Sequence, residues 1–538
     1  MSPKYLIGVD LGTSATKAGL YTAAGEEVAL ASVEVPIANP SPGVVEQETD
    51  EFYATAARAV GQLFRDSGVD PVAVAAIAFD SQMAGIGTID DRFLPASRFD
   101  SWLDMRCQPQ IERIRARFGP LVTRLTGCAP TCDHGPKMLW CKEEQPGVYG
   151  RTAKFVVPTC YVAGRLAGLA AESAFIDHTF IHFSGVSDAK KGAWSDELIG
   201  LLGLDRTKLP RIVAPWEVVG EVKDEGARDF GLAPGTPIAA GCGDTAACAL
   251  GAGIVRPGML FDTAGTASVL AGCTDRYVAD ERHGALLTMR SVVPGVWHPL
   301  AYIAGGGMAL RWFRDNFWGA AQGRPRSVAA GNRKRSEPAT RSDELYDEMI
   351  DRALKIEPGA EGLYFSPHLG GRICPASPEM RGAWVGFTWR HTEPHFFRAI
   401  LESIAFEYAY YVRILSELAP ELAMAEARVA GGGAKSAAWN QMKANVLGVP
   451  YRRLGRDELG AWGAALVAGK AVGLYGDLAE AAAERAITRG APLEVEREAR
   501  AVYAPLVESY VRLQERLAAT FRELDAPREE AGGQGERG

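Results

Sequence analysis

The sequence predicts an α/β protein built from two similar domains. The first observation behind this is a glycine-rich hairpin written twice, about half the chain apart: IGVDLGTSATK at residues 7–17 and LFDTAGTASV at residues 260–269. Each copy has an apolar strand, a Gly-Thr tip with small neighbours, and a second apolar strand. A tip glycine lets the backbone approach an anion closely, and its neighbours offer N–H and hydroxyl donors. Two such tips, one from each half, suit opposite sides of a nucleotide phosphate tail, and so phosphoryl transfer. The second observation is the alternation of strand-like runs and helical periodicities around both copies. The third is length: 538 residues exceed one ordinary domain.

Taken in order, residues 4–11 read as a buried strand, with 15–22 and 27–35 as antiparallel neighbours and Ala23-Ala24-Gly25-Glu26 as the turn. A helix starts at Asp50, whose carboxylate is placed to cap it, and Phe52, Tyr53, Ala56, Val60, Leu63 and Phe64 follow at helical spacing. The continuous apolar run 72–79 reads as a central strand. The second half repeats the scheme, with strands at 259–262, 267–273 and 285–292 and a long helix over 394–418. A short strand at 428–430 leads into Gly431-Gly432-Gly433. The boundary falls near Arg256-Pro257-Gly258, dividing the chain into domains of 1–255 and 256–525. Residues 320–342 read as a mobile surface insertion and 526–538 as a disordered, charged tail.

Composition narrows the partners. A formal charge of −8 argues against nucleic acid as the main partner. No apolar run approaches membrane-spanning length, and Met1-Ser2-Pro3-Lys4 runs straight into a strand without a signal peptide. Nine scattered cysteines read as reduced thiols of a cytoplasmic protein. Cys128, Cys132 and Cys141 with His134 lack the CxxC pair of zinc sites and read as free thiols rather than ligands.

Four segments carry chemistry. Asp10 ends a buried strand just before Gly12-Thr13, where a carboxylate can hold a hydrated Mg²⁺ beside the β- and γ-phosphates. Thr13, Ser14 and Thr16 supply hydroxyls there, and Lys17 a cation. A tight polar hairpin without ligand would look the same, but the second copy at Gly265-Thr266 argues for the phosphate reading. Gly431 to Ser436 is a third glycine-rich turn between a strand and a helix carrying Trp439 and Asn440. The free N–H groups of that helix suit an α-phosphate and the adenosine beyond it. Asp244, in Gly243-Asp244-Thr245-Ala246-Ala247, lies where the strand at 238–240 hands over to a small-residue helix at 246–254. A carboxylate in a cleft there can take a proton from an alcohol, whereas the plainer alternative is a helix cap. Finally, Asp80-Ser81-Gln82-Met83-Ala84-Gly85 and Asp100-Ser101-Trp102-Leu103-Asp104-Met105-Arg106 carry groups suited to a polyhydroxylated ligand. Core packing for Trp102 and a surface ion pair for Asp104 and Arg106 are the plainer alternatives.

Together these segments resemble the FGGY family of carbohydrate kinases, within the actin-like ATPase superfamily, in order from Tyr5 to about Leu474. The residues 8–14 and 265–268 resemble the two phosphate motifs, with Gly12, Thr13, Ser14, Gly265 and Thr266 in their turns and Lys17 just after the first. Gly432, Gly433, Ala434 and Asn440 fall in a segment that resembles the adenosine motif, Gly135-Pro136-Lys137-Met138-Leu139-Trp140 resembles the Pro-Lys-x-x-Trp signature, and Asp244 falls where the family has its catalytic aspartate. The resemblance implies two actin-like (ribonuclease-H-like) domains with a nucleotide and sugar cleft between them. It also implies ATP and Mg²⁺, the latter at Asp10, a sugar (ketose-like) or polyol substrate, and Asp244 as general base. Homodimers are frequent in the family. Xylulokinase-like members look most similar. Gln82-Met83-Ala84-Gly85 resembles their Gln-Met-His-Gly segment and Trp102 to Arg106 their Trp-Asn-Asp-x-Arg segment, which implies sugar contacts from Gln82, Met83, Ala84, Trp102, Asp104, Asp244 and Thr245. Ala84 departs from the pattern, standing where those kinases carry a sugar-contacting histidine, and Thr245 replaces a frequent asparagine. Two other classes share parts of this pattern: an actin-like ATP switch, which needs neither Trp102 nor Asp104, and a sugar-sensing regulator, which needs no intact Asp10 and Asp244.

Overall fold

The computed structural model describes residues 4–265, 267–318 and 339–525. Two seven-stranded mixed sheets organise them. The first sheet holds β1 (Tyr5–Leu11), β2 (Ala15–Thr22), β3 (Glu27–Glu34), β4 (Val74–Ser81), β5 (Val218–Glu221) and β6 (Pro237–Ala239), in the spatial order β5-β6-β4-β1-β2-β3. A short β7 (Cys242–Gly243) also pairs with β4. The second sheet holds β8 (Met259–Ala264), β9 (Ser268–Gly272), β10 (Leu287–Arg290), β11 (Trp297–Ile303), β12 (Glu426–Ala430), β13 (Tyr451–Leu454) and β14 (Thr488–Leu493), in the order β10-β11-β9-β8-β12-β13-β14.

The two orders correspond strand for strand. In each, an antiparallel hairpin lies beside a parallel strand, then a second parallel strand, then an antiparallel edge: β1–β2, β4, β6, β5 in one sheet and β8–β9, β12, β13, β14 in the other. The duplicated hairpin is therefore the sequence trace of a duplicated sheet. One strand differs from expectation: the third strand of the second meander is β11, and the run read at 285–292 contributes β10 outside it. Pro299 within β11 weakens the strand signal of that segment.

Helices cover the sheets. α1 (Thr49–Ser67) follows the predicted apolar stripe, but Asp50 does not cap it. Its Oδ1 accepts instead from the Tyr161 hydroxyl and from Arg165 Nη1, the latter at 3.1 Å. α2 (Asp244–Gly251) follows β7 directly. α3 (Ala339–Leu354) begins inside the segment read as an insertion, whose residues 320–338 lie outside the described residues, as does the tail at 526–538. α4 (Glu393–Leu418) buries its apolar face in the core of the second sheet, and α5 (Ala437–Leu447) follows the glycine triplet.

α6 (Leu459–Ala471) joins the halves, because its side chains belong to the core of the first sheet although its sequence lies in the second half. Three glycines allow the approach. A Cβ on Gly8 of β1 would lie 1.8 Å from Ala461 O, one on Gly463 2.0 Å from Ala247 O, and one on Gly251 2.4 Å from Leu459 O. Backbone thus meets backbone where any side chain would overlap. No helix among the described residues is long and apolar enough to cross a membrane.

Candidate active site

Parallel register brings three carboxylates to neighbouring strand ends. Asp10 of β1 pairs with Asp80 of β4, and Cys242 and Gly243 of β7 pair with Asp80 and Ser81, so that Asp244 follows at the start of α2. These are carboxyl ends of parallel strands, where open α/β sheets bind ligands. Asp10 and Asp244 are half-buried, whereas Asp80 is fully buried.

Asp244 does not cap α2; the cap position is Gly243, without a side-chain bond. Asp244 Oδ1 accepts from Thr245 N at 2.5 Å and Thr245 Oγ1 at 3.1 Å. Gly243 is fastened by its N–H to Thr179 Oγ1 at 2.8 Å, and Met83 packs so close that a Cβ on Gly243 would lie 2.5 Å from Met83 Cε. Burial, then the nearby Asp10 charge, pushes the Asp244 carboxyl up to about 7 against the Thr245 bonds. Burial likewise raises Asp10 to about 6, with Lys17 opposing it, and holds Asp80 well above the ordinary carboxylate range, with Asp10 and Asp244 adding to the effect.

The first hairpin tip is tied to the segments read as sugar-binding. Trp102 Nε1 donates to Thr13 Oγ1 at 2.9 Å. Gln47 Nε2 donates to Thr13 O at 3.0 Å and its Oε1 accepts from Gln82 Nε2 at 2.8 Å. Gln82 N reaches Leu11 O at 3.2 Å, and its Oε1 is buried without a protein partner. Ala84 sits in left-handed backbone conformation with φ +57°, and its carbonyl accepts from Lys137 Nζ at 3.3 Å. Lys137, the lysine of the Pro-Lys segment, also donates to Ser101 O at 2.6 Å, so it binds the two segments together from within the core.

Two residues turn away from the roles read from sequence. Asp104 is buried and committed to protein donors: Val45 N at 2.8 Å, Arg106 N at 3.0 Å and Arg106 Nε at 2.9 Å. It forms a buried clamp with Arg106 rather than a surface pair. Lys17 Nζ lies 2.8 Å from Glu458 Oε2, just before α6, so the expected phosphate cation is also a link between the two halves. The thiols make local contacts: Cys128 Sγ with Ala129 O at 3.3 Å and Cys132 Sγ with Trp102 O at 3.5 Å. Among the described residues, no three His, Cys, Asp or Glu side chains are grouped to hold a metal.

In the second sheet the glycine triplet rests on the second hairpin. Gly431 has φ +89°, and a Cβ there would lie 2.8 Å from Ala264 O; one on Gly433 would lie 2.8 Å from Ala264 Cβ. Ser436 Oγ caps α5 by accepting from Trp439 N at 3.2 Å, and Asn440 Nδ2 braces the turn through Ala434 O at 2.9 Å. Gly265, Gly432 and Gly433 line a cavity of about 450 Å³ together with Arg311, Tyr346 and Asp347. Those three escaped sequence reading, since they sit on amphipathic helices with no motif around them. Thr266 lies outside the described residues. Asp262, the twin of Asp10 in the second hairpin, is closed off: Lys443 Nζ lies 2.5 Å from one oxygen and the Tyr408 hydroxyl 2.9 Å from the other.

The family model for the N-terminal domain of the FGGY family of carbohydrate kinases matches residues 5–251, and that for the C-terminal domain residues 261–472. The chain is 27% identical to a xylulose kinase of Bacillus subtilis over 483 residues, covering 89% of this chain and 90% of that one. It is 25% identical to a gluconokinase of the same organism over 446 residues, 82% of each chain. The crystal structure of a ligand-bound xylulose kinase from Lactobacillus acidophilus shares the fold with a TM-score of 0.86 at 24% identity, covering 97% of this chain and all of that one.

Proposed function

The chain belongs to the FGGY family of carbohydrate kinases, and from that premise we propose that it moves the γ-phosphate of ATP to a hydroxyl of a ketose-like sugar or a polyol, with Asp244 as general base. The observation that carries this reading is the placement of Asp10 and Asp244 at neighbouring strand ends beside the Gly12–Ser14 tip. Thr245 occupies Asp244 Oδ1, which leaves Oδ2 to accept the proton of the attacking hydroxyl. The sugar oxygen bonds to the γ-phosphorus as the β–γ bridging oxygen leaves with ADP. A carboxyl held near 7 keeps enough basicity for that proton while ionising at neutral pH.

Gln82, with its unpartnered Oε1, Met83, Ala84, Trp102 and Thr245 form the sugar side, and Asp104 positions the Trp102 segment by clamping Arg106 and Val45. Gly12, Thr13, Ser14, Gly265 and Thr266 take the phosphate tail. Gly432, Gly433 and Ala434, braced by Asn440, take the adenosine in the 450 Å³ cavity. The donor set at Asp10 fits Mg²⁺: a half-buried carboxylate beside a phosphate-binding tip is what this cation uses, since it keeps several waters and takes one or two carboxylates with substrate phosphates. When bound, it offsets the charge that develops on the β–γ bridge. We place the division between the domains at 255/256.

The comparable likeness to a xylulose kinase and a gluconokinase does not choose the acceptor. A panel of ketoses, sugar acids, aldoses and polyols in a coupled ADP-release assay tests the reading. ADP formation is expected only when one acceptor class is added. ATP turnover indifferent to every acceptor would refute it.

A further inference from the structure

Asp244 can act as a base only if its free oxygen is held toward the acceptor, and the residue before it is anchored from a segment that carries no other part of the site. Among the described residues, β7 is two residues long and pairs with β4 alone, through Cys242 with Asp80 and Gly243 with Ser81. So short a ladder fixes little by itself. The Gly243 N–H donates to a side chain, Thr179 Oγ1, at 2.8 Å.

Thr179 is fixed in turn. Its hydroxyl donates to Asp177 Oδ1 at 2.6 Å, and its N–H donates to the same oxygen at 2.8 Å. Asp177 and Thr179 are both fully buried. The direction of this chain is set by its backbone ends. A backbone N–H only donates, so Thr179 Oγ1 accepts from Gly243 and Asp177 Oδ1 accepts from Thr179 N. The hydroxyl proton then goes to Asp177 Oδ1. An isolated threonine hydroxyl rotates to suit its surroundings; here the rotor is held with a lone pair on Gly243. Asp177 ends the strand Phe175–Asp177, which pairs with Arg211–Val213 in a separate two-stranded sheet, so the anchor does not belong to the sheet that carries Asp244. A turn that only closed its own loop would use the Thr179 N–H and would not need the hydroxyl bonded onward to Gly243.

We propose that Thr179 and Asp177 are positioning residues for the transfer step: Asp177 orients the Thr179 hydroxyl, which pins the Gly243 N–H and so aims Asp244 Oδ2 at the acceptor hydroxyl. The inference rests on the reading of Asp244 as general base. Both residues are fully buried and act through Gly243, not on the substrate. Thr245 holds the other oxygen of Asp244, at 2.5 Å from its N–H, so the base is fixed from the residue before it and the residue after it. A displacement of about 1 Å at a reacting group is enough to cost roughly 10²-fold in rate.

The test is steady-state kinetics on the full chain with the best acceptor of the panel, in the wild-type and Asp244→Asn backgrounds, with ADP affinity and thermal midpoint recorded for each variant. Thr179→Val keeps the shape and removes the hydroxyl. It is expected to lower kcat roughly 10–100-fold with KM for ATP little changed. Thr179→Ser, which keeps the hydroxyl, should restore most of the loss. In the Asp244→Asn background Thr179→Val should lower the residual turnover by less than about twofold, because no base is left to aim. Asp177→Ala should lower kcat comparably, and combining it with Thr179→Val should add little. A lowered midpoint alone does not produce this pattern. Wild-type kcat in Thr179→Val overturns the proposal, as do equal losses in the two backgrounds, a Thr179→Ser as slow as Thr179→Val, or additive losses from Asp177 and Thr179. Near-normal turnover in Asp244→Asn itself instead removes the base assignment, and the positioning role with it. Should Thr179→Val not fold, Thr179→Cys, whose thiol accepts only weakly, is measured in the same two backgrounds. A loss confined to the chain with Asp244 intact supports the proposal, and wild-type kcat or equal losses overturn it.

Discussion

Asp244 and Ala84 are the residues at which small chemical changes have readable effects. Asp244→Asn keeps the size and the Thr245 contacts but cannot take a proton, so turnover should fall roughly 10²–10⁴-fold with ADP affinity little changed. Near-normal turnover would show that Asp244 is not the base. With its carboxyl held up to about 7, kcat/KM for the acceptor should rise with pH and level off above that value, and this limb should vanish in the variant. Stability runs the other way. The fold favours the neutral carboxyl, so this contribution is complete below the ordinary value of 3.8 and is lost as pH rises through about 7. Ala84 offers no hydrogen bond where similar kinases have a histidine. Its left-handed backbone is one that histidine tolerates better than bulky or β-branched residues. Ala84→His should raise kcat/KM on D-xylulose relative to the best native acceptor several-fold, in line with about 0.5–1.5 kcal/mol for one bond. A wild type that already prefers D-xylulose to every other acceptor would contradict this.

Helices α4 and α6 depend on contacts that single substitutions can break. On α4, Glu407 is fully buried and receives Arg372 Nη2 at 2.9 Å, the Tyr510 hydroxyl at 2.9 Å and His368 Nε2 at 3.2 Å. Burial works to raise its carboxyl, but Arg372 and His368 outweigh that and hold it down at about 2. A depressed carboxyl stabilises the fold above its ordinary value of 4.5, and the contribution is lost as pH falls toward 2. Glu407→Gln should therefore cost roughly 3–5 kcal/mol at neutral pH, because Arg372 is left buried and unpaired, and the cost should shrink in acid. Denaturant titration at the two pH values reads this directly; an equal loss at both would contradict the assignment. On α6, Gly463→Ala would set a methyl 2.0 Å from Ala247 O. Backbone cannot yield as a side-chain end can, so a loss of about 1–3 kcal/mol or more is expected as a lowered thermal midpoint.

The whole molecule is two copies of one sheet joined through α6, with the phosphate tips on separate sheets and the acceptor residues on the first. A reaction that water can intercept calls for closure of that cleft around both substrates. Small-angle scattering should show a smaller radius of gyration when acceptor and a non-hydrolysable ATP analogue are present together than with either alone. An unchanged radius would count against closure. The Lys17–Glu458 pair spans the two halves beside the first tip, but at partial exposure its own contribution is at most about 1 kcal/mol, so the packing of α6 contributes far more to joining the halves than this pair does.

Local chemistry was legible in the sequence because it is local. Gly-Thr tips, the strands feeding them, the Gly431–Gly433 turn and the place of Asp244 between strand and helix all follow from residues adjacent in the chain. What surrounds each charge was not legible. Asp10 and Asp262 stand alike before their tips, yet one stays half-buried beside Asp80 and Lys17 whereas the other is closed by Lys443 and Tyr408. Asp104 looked available and is consumed by Val45 and Arg106. Asp80 joins Asp10 only through the parallel register of β1 and β4, and α6 enters the first core from the far half of the chain. Periodicity records that a face is buried, but not by what. The partner of a charge, and hence whether it is structural or reactive, is decided only when distant segments pack.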